Sequence, residues 1–127
     1  MDPARLKKIP VFANLDAEEL GHIAAIAAEV SVPEGKELVR EGDYSYDVLA
    51  IEEGTARVER NGQYIDDVGP GDVVGEMGVL ERSQRNATVI ATSPMRLLVF
   101  ADRQFRELLF AAPTAGARIR GAAMQRA

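Results

Sequence analysis

The stretch TARVERNGQYIDDV, residues 55–68, indicates antiparallel β-structure. Its first half alternates in polarity, with Ala56 and Val58 on one side and charged residues on the other, as in a strand that has one buried face. The pair Asn61-Gly62 separates this strand from the next, and a tight turn of this hand needs the positive φ angles that Asn and Gly tolerate. The stretch therefore predicts a β-hairpin.

Short apolar segments bounded by Gly, Pro and Asp lie on both sides of this hairpin. About eight strands are predicted in all, and their spacing is typical of an antiparallel sandwich or jelly roll. The last two segments, ATVIATS and MRLLVFA at residues 87–93 and 95–101, are expected to pair with each other across Ser93-Pro94.

Helices are predicted before and after the strands. Asp16 and Glu19 form the capping-box pattern that begins a helix, and DRQFRELLFAAP, residues 102–113, is an amphipathic pattern with Asp102 as its cap. The apolar faces consist of Leu20, Ile23, Ala24 and Ala27 in the first helix, and of Phe105, Leu108 and Leu109 in the second. A weaker helix with Gly116 and Gly121 is expected after Pro113. The predicted fold class is α+β, an eight-stranded antiparallel β-roll (jelly roll) with an N-terminal helix and C-terminal helices.

Composition excludes several classes of function. The 127 residues fit a single domain, 1–127, which could be one module of a longer regulatory protein. A formal charge of −5 argues against direct nucleic-acid binding. The absence of cysteine excludes disulfides, thiolate metal sites and cysteine nucleophiles, and the single histidine, His22, leaves no room for a His-based metal cluster or a Ser-His-Asp triad. We expect no catalytic residue, no metal site and no cofactor. No apolar run is long enough for membrane insertion, so the cytoplasm is the expected location.

A carboxylate and a guanidinium stand among apolar residues in GEMGVLERSQRNATV, residues 75–89. Taken alone, Glu76 and Arg85 could form an internal salt bridge or be two solvated loop charges. The glycines nearby allow a ligand to approach the backbone closely, and the N–H groups of a helical turn at residues 77–80 would bind an anion. Arg85 could hold that anion through two parallel hydrogen bonds, while Glu76 would accept from hydroxyl groups. The pattern predicts a ligand that carries a phosphate and a sugar hydroxyl.

The longer segment GPGDVVGEMGVLERSQRNATV, residues 69–89, resembles the phosphate-binding cassette of cyclic nucleotide-binding domains, and the resemblance covers nearly the whole chain. It implies an eight-stranded β-roll flanked by helices. It also implies that Glu76 accepts from the ribose 2′-hydroxyl and that Arg85 pairs with the exocyclic phosphate oxygens. The ligand-binding residues carried over are Gly75, Glu76, Met77, Gly78, Val79, Arg85, Asn86, Ala87 and Thr88. Among these, the backbone N–H groups of Gly78, Val79 and Ala87 complete the phosphate cradle, and Thr88 contacts phosphate or base.

Three departures from the family pattern bear on the ligand. Asn86 stands where Ala, Ser or Thr is frequent, which leaves the purine preference open between cyclic AMP and cyclic GMP. Gln84 replaces a frequent proline, so the loop before Arg85 is expected to be less stiff. The last helix contains no aromatic residue, so a lid over the base is weak, missing or supplied from elsewhere.

The function expected from the resemblance is a non-catalytic regulatory module for a 3′,5′-cyclic nucleotide, with cyclic AMP preferred. Its partners would be that nucleotide and a linked or separate effector domain, reached through the C-terminal helices. The alternative is a ligand-free β-roll interaction domain that has lost nucleotide signalling, against which the retention of both Glu76 and Arg85 argues. A cupin-like metalloenzyme would need a cluster of His and carboxylate ligands, which one histidine cannot supply.

Overall fold

The N-terminal part is helical, as predicted. The computed structural model describes residues 1–44, 47–75 and 84–118. Two short 3₁₀ helices, Pro3–Lys8 and Pro10–Phe12, precede helix α1, Ala17–Ile26. The Asp16 carboxylate accepts a hydrogen bond from the Glu19 backbone N–H at 2.8 Å, and the reciprocal bond is also present, so the predicted capping box is confirmed. Ala27, which we expected on the helical stripe, lies just beyond the end of α1.

The described residues contain eight strands arranged in two sheets. The strands are β1 Ala28–Val32, β2 Glu37–Val39, β3 Val48–Glu53, β4 Ala56–Arg60, β5 Gln63–Val68, β6 Val73–Val74, β7 Thr88–Ala91 and β8 Met95–Phe100. One sheet has the order β1-β8-β3-β6 and the other β2-β7-β4-β5, and every pairing is antiparallel. The predicted fold class, an α+β chain with an eight-stranded antiparallel β-roll, is confirmed.

The central hairpin is also confirmed. Strands β4 and β5 pair from Ala56↔Val68 to Arg60↔Gln63. The turn residues Asn61 and Gly62 have φ angles of 54° and 76°, as a tight turn of this hand requires.

The prediction that the last two strands form a hairpin is wrong. Strand β7 pairs with β2 and β4, whereas β8 pairs with β1 and β3, so the chain changes sheets between them. Thr55 stabilises this connection between β7 and β8. It lies in the connection between β3 and β4, where the chain also passes from one sheet to the other. Its carbonyl accepts from the Thr92 N–H at 2.9 Å, and its own N–H donates to Ser93 Oγ at 3.0 Å. Strand β7 buries apolar residues on one side, whereas β8 buries them on both sides, because its sheet lies between two apolar clusters. The order of these strands along the chain therefore did not show which strands they pair with.

The buried side chains form two clusters on opposite faces of the β1-β8-β3-β6 sheet. One cluster lies between that sheet and the helices and includes Phe12, Ile23, Phe100, Phe105 and Leu108. Within it the rings of Phe12 and Phe100 meet edge to face, with centroids 6.1 Å apart. The other cluster fills the space between the two sheets and includes Ile51, Ala56, Val89, Ala91 and Leu97.

Helix α2 spans Asp102–Ala111 and packs its apolar face on the roll. Its N-cap is Ala101, so Asp102 is the first helical residue and not the cap that we expected; its carboxylate accepts from Arg106 Nε at 2.9 Å. Phe105 and Leu108 are fully buried and Leu109 packs beside them, as predicted.

The chain is helical again from 113 to 118, and this segment contacts both α2 and the N-terminal part. A Cβ built on Gly116 would lie 2.9 Å from Leu109 Cδ2, so this glycine permits close packing against α2. Arg118 Nη1 donates to the carbonyls of Ala13 and, at 3.3 Å, Pro10. Gly121 lies outside the described residues.

An ionic cluster attaches the first 3₁₀ helix to the roll. Arg5 Nε donates to Glu52 Oε2 of β3 at 2.8 Å, and the same guanidinium contacts Glu29 of β1. These hydrogen bonds from Arg5 lower the pKa of the largely buried Glu52 carboxyl. The N-terminal segment is therefore held on the sheet β1-β8-β3-β6.

Candidate functional site

Arg85 is a buried cation held at the ends of two strands. Its side chain lies just before β7 and is 5% exposed. Nη1 donates to the carbonyl oxygen of Gly75, which follows β6, at 2.9 Å, and Nη2 donates to that of Asp47, which precedes β3, at 2.7 Å. These two carbonyls orient the guanidinium. A buried charge is costly unless it is well bonded, and these contacts supply part of that bonding.

Gly75 is needed where it stands because of Arg85. Its φ of 89° lies in the region that favours glycine. A Cβ built there would lie 2.5 Å from Arg85 Nη1 and 2.6 Å from the carbonyl oxygen of Asp47. The close approach that the sequence suggested at this glycine is thus an approach to the guanidinium and to the backbone before β3.

The backbone of Arg85 is fixed by the turn that follows β2. Its N–H donates to the Asp43 carbonyl and its own carbonyl accepts from the Gly42 N–H, both at 2.8 Å. Next to it, Gln84 Nε2 donates to the Gly42 carbonyl at 2.9 Å. The sequence indicated a turn at Gly42-Asp43 but gave no sign that this turn supports Arg85.

The three residues after Arg85 lead into β7 and have different surroundings. Asn86 is exposed, and its carbonyl accepts from Arg60 Nε at 2.9 Å. Ala87 is buried. Thr88 Oγ1 accepts from the backbone N–H of Glu41 at 3.0 Å, and its hydroxyl hydrogen can be donated in another direction. The contacts of Arg60 and Glu41 were not predicted from the sequence.

The structure thus brings together five of the nine residues that we predicted for the site: Gly75, Arg85, Asn86, Ala87 and Thr88. The other four, Glu76, Met77, Gly78 and Val79, lie outside the described residues. The assignment of all nine as ligand-binding residues stays a prediction.

Within residues 1–44, 47–75 and 84–118 no group of three or more His, Asp and Glu side chains is arranged to hold a metal ion. His22 Nε2 lies 3.5 Å from Glu107 Oε1, between α1 and α2. No helix in the same ranges is both long enough and apolar enough to cross a membrane.

The arrangement around Arg85 is suited to binding an anion. A guanidinium presents its donors in a planar fork that matches two oxygens of a phosphate. Backbone contacts on both sides hold this fork in place, so little conformational entropy remains to be lost when an anion binds. The Thr88 hydroxyl lies near the same segment and can add a neutral donor.

Comparison with known proteins agrees with this description. Residues 29–112, from β1 to just beyond α2, match the family model of the cyclic nucleotide-binding domain. The chain therefore belongs to the cyclic nucleotide-binding domain family.

Curated relatives contain a similar region within much longer chains. The cAMP-dependent protein kinase regulatory subunit of Schizosaccharomyces pombe is 31% identical over 105 residues, which make up 82% of this chain and 26% of that protein. A cGMP-dependent protein kinase of Drosophila melanogaster is 28% identical over 96 residues, which make up 76% of this chain and 9% of that protein. The chain thus corresponds to a small part of each.

A solved structure has the same architecture. The Thermus thermophilus catabolite activator protein superimposes with a TM-score of 0.80 at 26% identity, covering 92% of this chain and 57% of the other. The β-roll with flanking helices is therefore shared with a member of the group that the sequence resembled.

Proposed function

We propose that this chain is a non-catalytic regulatory module that binds a 3′,5′-cyclic nucleotide, with cyclic AMP preferred, and transmits occupancy through its C-terminal helices. Membership of the cyclic nucleotide-binding domain family supports the class of ligand. The S. pombe relative, a regulatory subunit described as cAMP-dependent, supports the base and the regulatory role. The effector would be a linked or separate domain.

The observation that carries this proposal is the buried guanidinium of Arg85, fixed by the carbonyls of Gly75 and Asp47. In this role its fork binds the exocyclic oxygens of the cyclic phosphate. Glu76, the next residue after Gly75 in the sequence, accepts from the ribose 2′-hydroxyl. The amide N–H groups of Gly78, Val79 and Ala87 complete the cradle.

Asn86 supports the preference for adenine. A carboxamide carries both a donor and an acceptor, and this pair matches N7 and the N6 amino group of adenine. Guanine presents two acceptors, N7 and O6, at the same edge. The exposed side chain of Asn86, next to the phosphate-binding arginine, is therefore better suited to cyclic AMP than to cyclic GMP.

One observation favours a second candidate, a ligand-free interaction domain. Because Arg85 donates to two backbone carbonyls, its charge could serve only to join the ends of β6 and β3. If Arg85 binds the phosphate, its substitution should lower affinity more than stability. If Arg85 only joins the strands, its substitution should mainly lower stability.

Calorimetric titration tests the ligand class. We expect cyclic AMP to bind and linear AMP to bind much more weakly, because a monoester carries a second negative charge that Glu76 would repel. Cyclic GMP, titrated alongside, should bind more weakly than cyclic AMP if Asn86 reads the base. Equal affinities for cyclic and linear AMP would contradict the proposal.

Amide hydrogen exchange tests the transmission of occupancy. The helical segments after β8 are attached to the rest of the protein at two places, through Phe105 and Leu108 in the core and through Arg118 on the Pro10 and Ala13 carbonyls. A ligand shifts such contacts only if it binds their two arrangements with different affinity. We expect exchange in residues 102–127 to change when cyclic AMP is added. Protection confined to residues 75–89 would mean that the chain binds without switching.

A further inference from the structure

Outside the sheet pairing, the hairpin of β4 and β5 contacts residues 84–88 once directly, through Arg60, and once indirectly, through Glu41. Arg60, the last residue of β4, donates from Nε to the carbonyl oxygen of Asn86 at 2.9 Å. One residue further, the backbone N–H of Asn61 donates to Glu41 Oε1 at 2.9 Å. Glu41 in turn uses its own N–H to bind Thr88 Oγ1. Arg60 thus joins the hairpin directly to the Asn86 carbonyl, and Glu41 joins the turn of the hairpin to Thr88.

The contact of Arg60 fixes the orientation of that peptide group. The Asn86 carbonyl and the Ala87 N–H belong to one planar trans unit, in which C=O and N–H point in opposite directions. With the carbonyl bound to Arg60, the Ala87 N–H must point away from the hairpin. A hydrogen-bond donor on the carbonyl also polarises the amide, which makes its N–H a stronger donor.

The hairpin is a firm support for such a contact. The turn residues Asn61 and Gly62 have positive φ angles of 54° and 76°, so the two strands are connected by a tight turn. The carboxylate of Glu41 fixes the start of the same turn from the other side. Arg60 therefore extends from a tight hairpin that is also paired with β7, through Glu59↔Thr88 and Val58↔Val89.

We propose that Arg60 is a positioning residue of the phosphate cradle, which aims and strengthens the Ala87 N–H through the Asn86 carbonyl. This inference rests on the proposed function, because the Ala87 N–H is one of the donors assigned to the cyclic phosphate. Arg60 itself does not contact the ligand in this role. It affects affinity only by orienting the peptide group between Asn86 and Ala87.

Three variants separate this role from a general charge effect. Arg60→Ala removes the contact. Arg60→Gln keeps an N–H donor at the same number of bonds from Cα, since glutamine Nε2 takes the topological place of arginine Nε, and it removes the charge. Arg57→Ala is the matched control: Arg57 is an exposed arginine on the same strand, and it contacts Glu59 and the ring of Tyr64.

Titration with cyclic AMP should then give a graded result. Because a single side-chain hydrogen bond makes a modest net contribution, we expect Arg60→Ala to lower affinity about three- to tenfold. Arg60→Gln should stay within about twofold of the wild-type protein, as should Arg57→Ala. All variants should keep the wild-type melting temperature to within a few degrees, since all three substitutions replace an exposed side chain.

The amide resonance of Ala87 supplies a readout that a purely structural role would not move. In the wild-type protein it should shift downfield when cyclic AMP binds, and the shift should be smaller in Arg60→Ala but restored in Arg60→Gln. Wild-type affinity in Arg60→Ala would overturn the inference, and so would an equal loss in Arg60→Gln, which would mean that charge alone matters. If the wild-type protein itself bound no cyclic nucleotide, the proposed function would fall, and this inference with it.

Discussion

Replacing Arg85 by alanine is expected to leave the protein folded and to remove most of its binding of cyclic AMP. Loss of one partner from a buried charge interaction costs about 2–5 kcal/mol, which corresponds to a fall in affinity of about thirty-fold or more. Stability should fall less, because the variant leaves the neutral carbonyls of Gly75 and Asp47 without this donor but removes no apolar core. Calorimetric titration and thermal unfolding measure the two effects separately.

Two further variants make the result for Arg85 specific. Arg85→Lys keeps the charge but not the planar fork, so it should recover only part of the affinity. Arg103→Ala removes an exposed arginine from α2 and should bind like the wild-type protein. Affinity of Arg85→Ala within a few-fold of wild type would show that the guanidinium does not hold the phosphate. A failure to fold would instead favour the ligand-free interaction domain.

Gly75→Ala is expected to lower both stability and affinity, because the new methyl group and the guanidinium of Arg85 require the same space. Gly35→Ala is a matched control. Gly35 has the same φ of 89°, but a Cβ built on it would meet nothing within 4 Å. Both variants carry the cost of a left-handed alanine, about 1–2 kcal/mol. Overpacking should add about 1–3 kcal/mol at Gly75 alone, measured by denaturant unfolding.

Affinity distinguishes the two glycine variants more sharply than stability. To relieve the contact, Arg85 or the backbone before β3 must move, so Gly75→Ala should lose binding nearly as completely as Arg85→Ala. Gly35 lies in the turn between β1 and β2, and its variant should bind normally once the protein is folded. If Gly75→Ala had the same stability and affinity as Gly35→Ala, the close approach between Gly75 and Arg85 would contribute neither to stability nor to binding.

The parts of the fold that the sequence predicted correctly depend on neighbouring residues. The capping box involves Asp16 and Glu19, three positions apart, and the turn at Asn61-Gly62 is set by the backbone preferences of two adjacent residues. The pairing of β7 and β8 depends instead on distant strands. Alternation of apolar residues tells which side of a strand is buried, but it does not tell which sheet the strand joins.

The same division applies to the candidate site. Gly75 and Arg85 could be singled out because glycine and a charge among apolar residues are visible in the sequence. The groups that hold Arg85 in place could not be predicted from the sequence, because they are backbone groups, which every residue has. The Asp47 carbonyl is 38 positions away from Arg85, and the Arg60 side chain is 26 positions away from Asn86. Such contacts exist only after the two sheets have formed.

The position of β8 in its sheet has a consequence for the order in which the protein can fold. Strand β8 lies between β1 and β3, pairing Val30 with Leu97 on one side and Ile51 with Leu97 on the other. While the chain is being synthesised, β1 is made first among the eight described strands, and its partner β8 is made last among them. The loop that must close between them is long, and such non-local pairing is slow. The nascent chain therefore exposes the edge of β1 until Phe100 has been added, and in that interval it is most open to pairing with other chains.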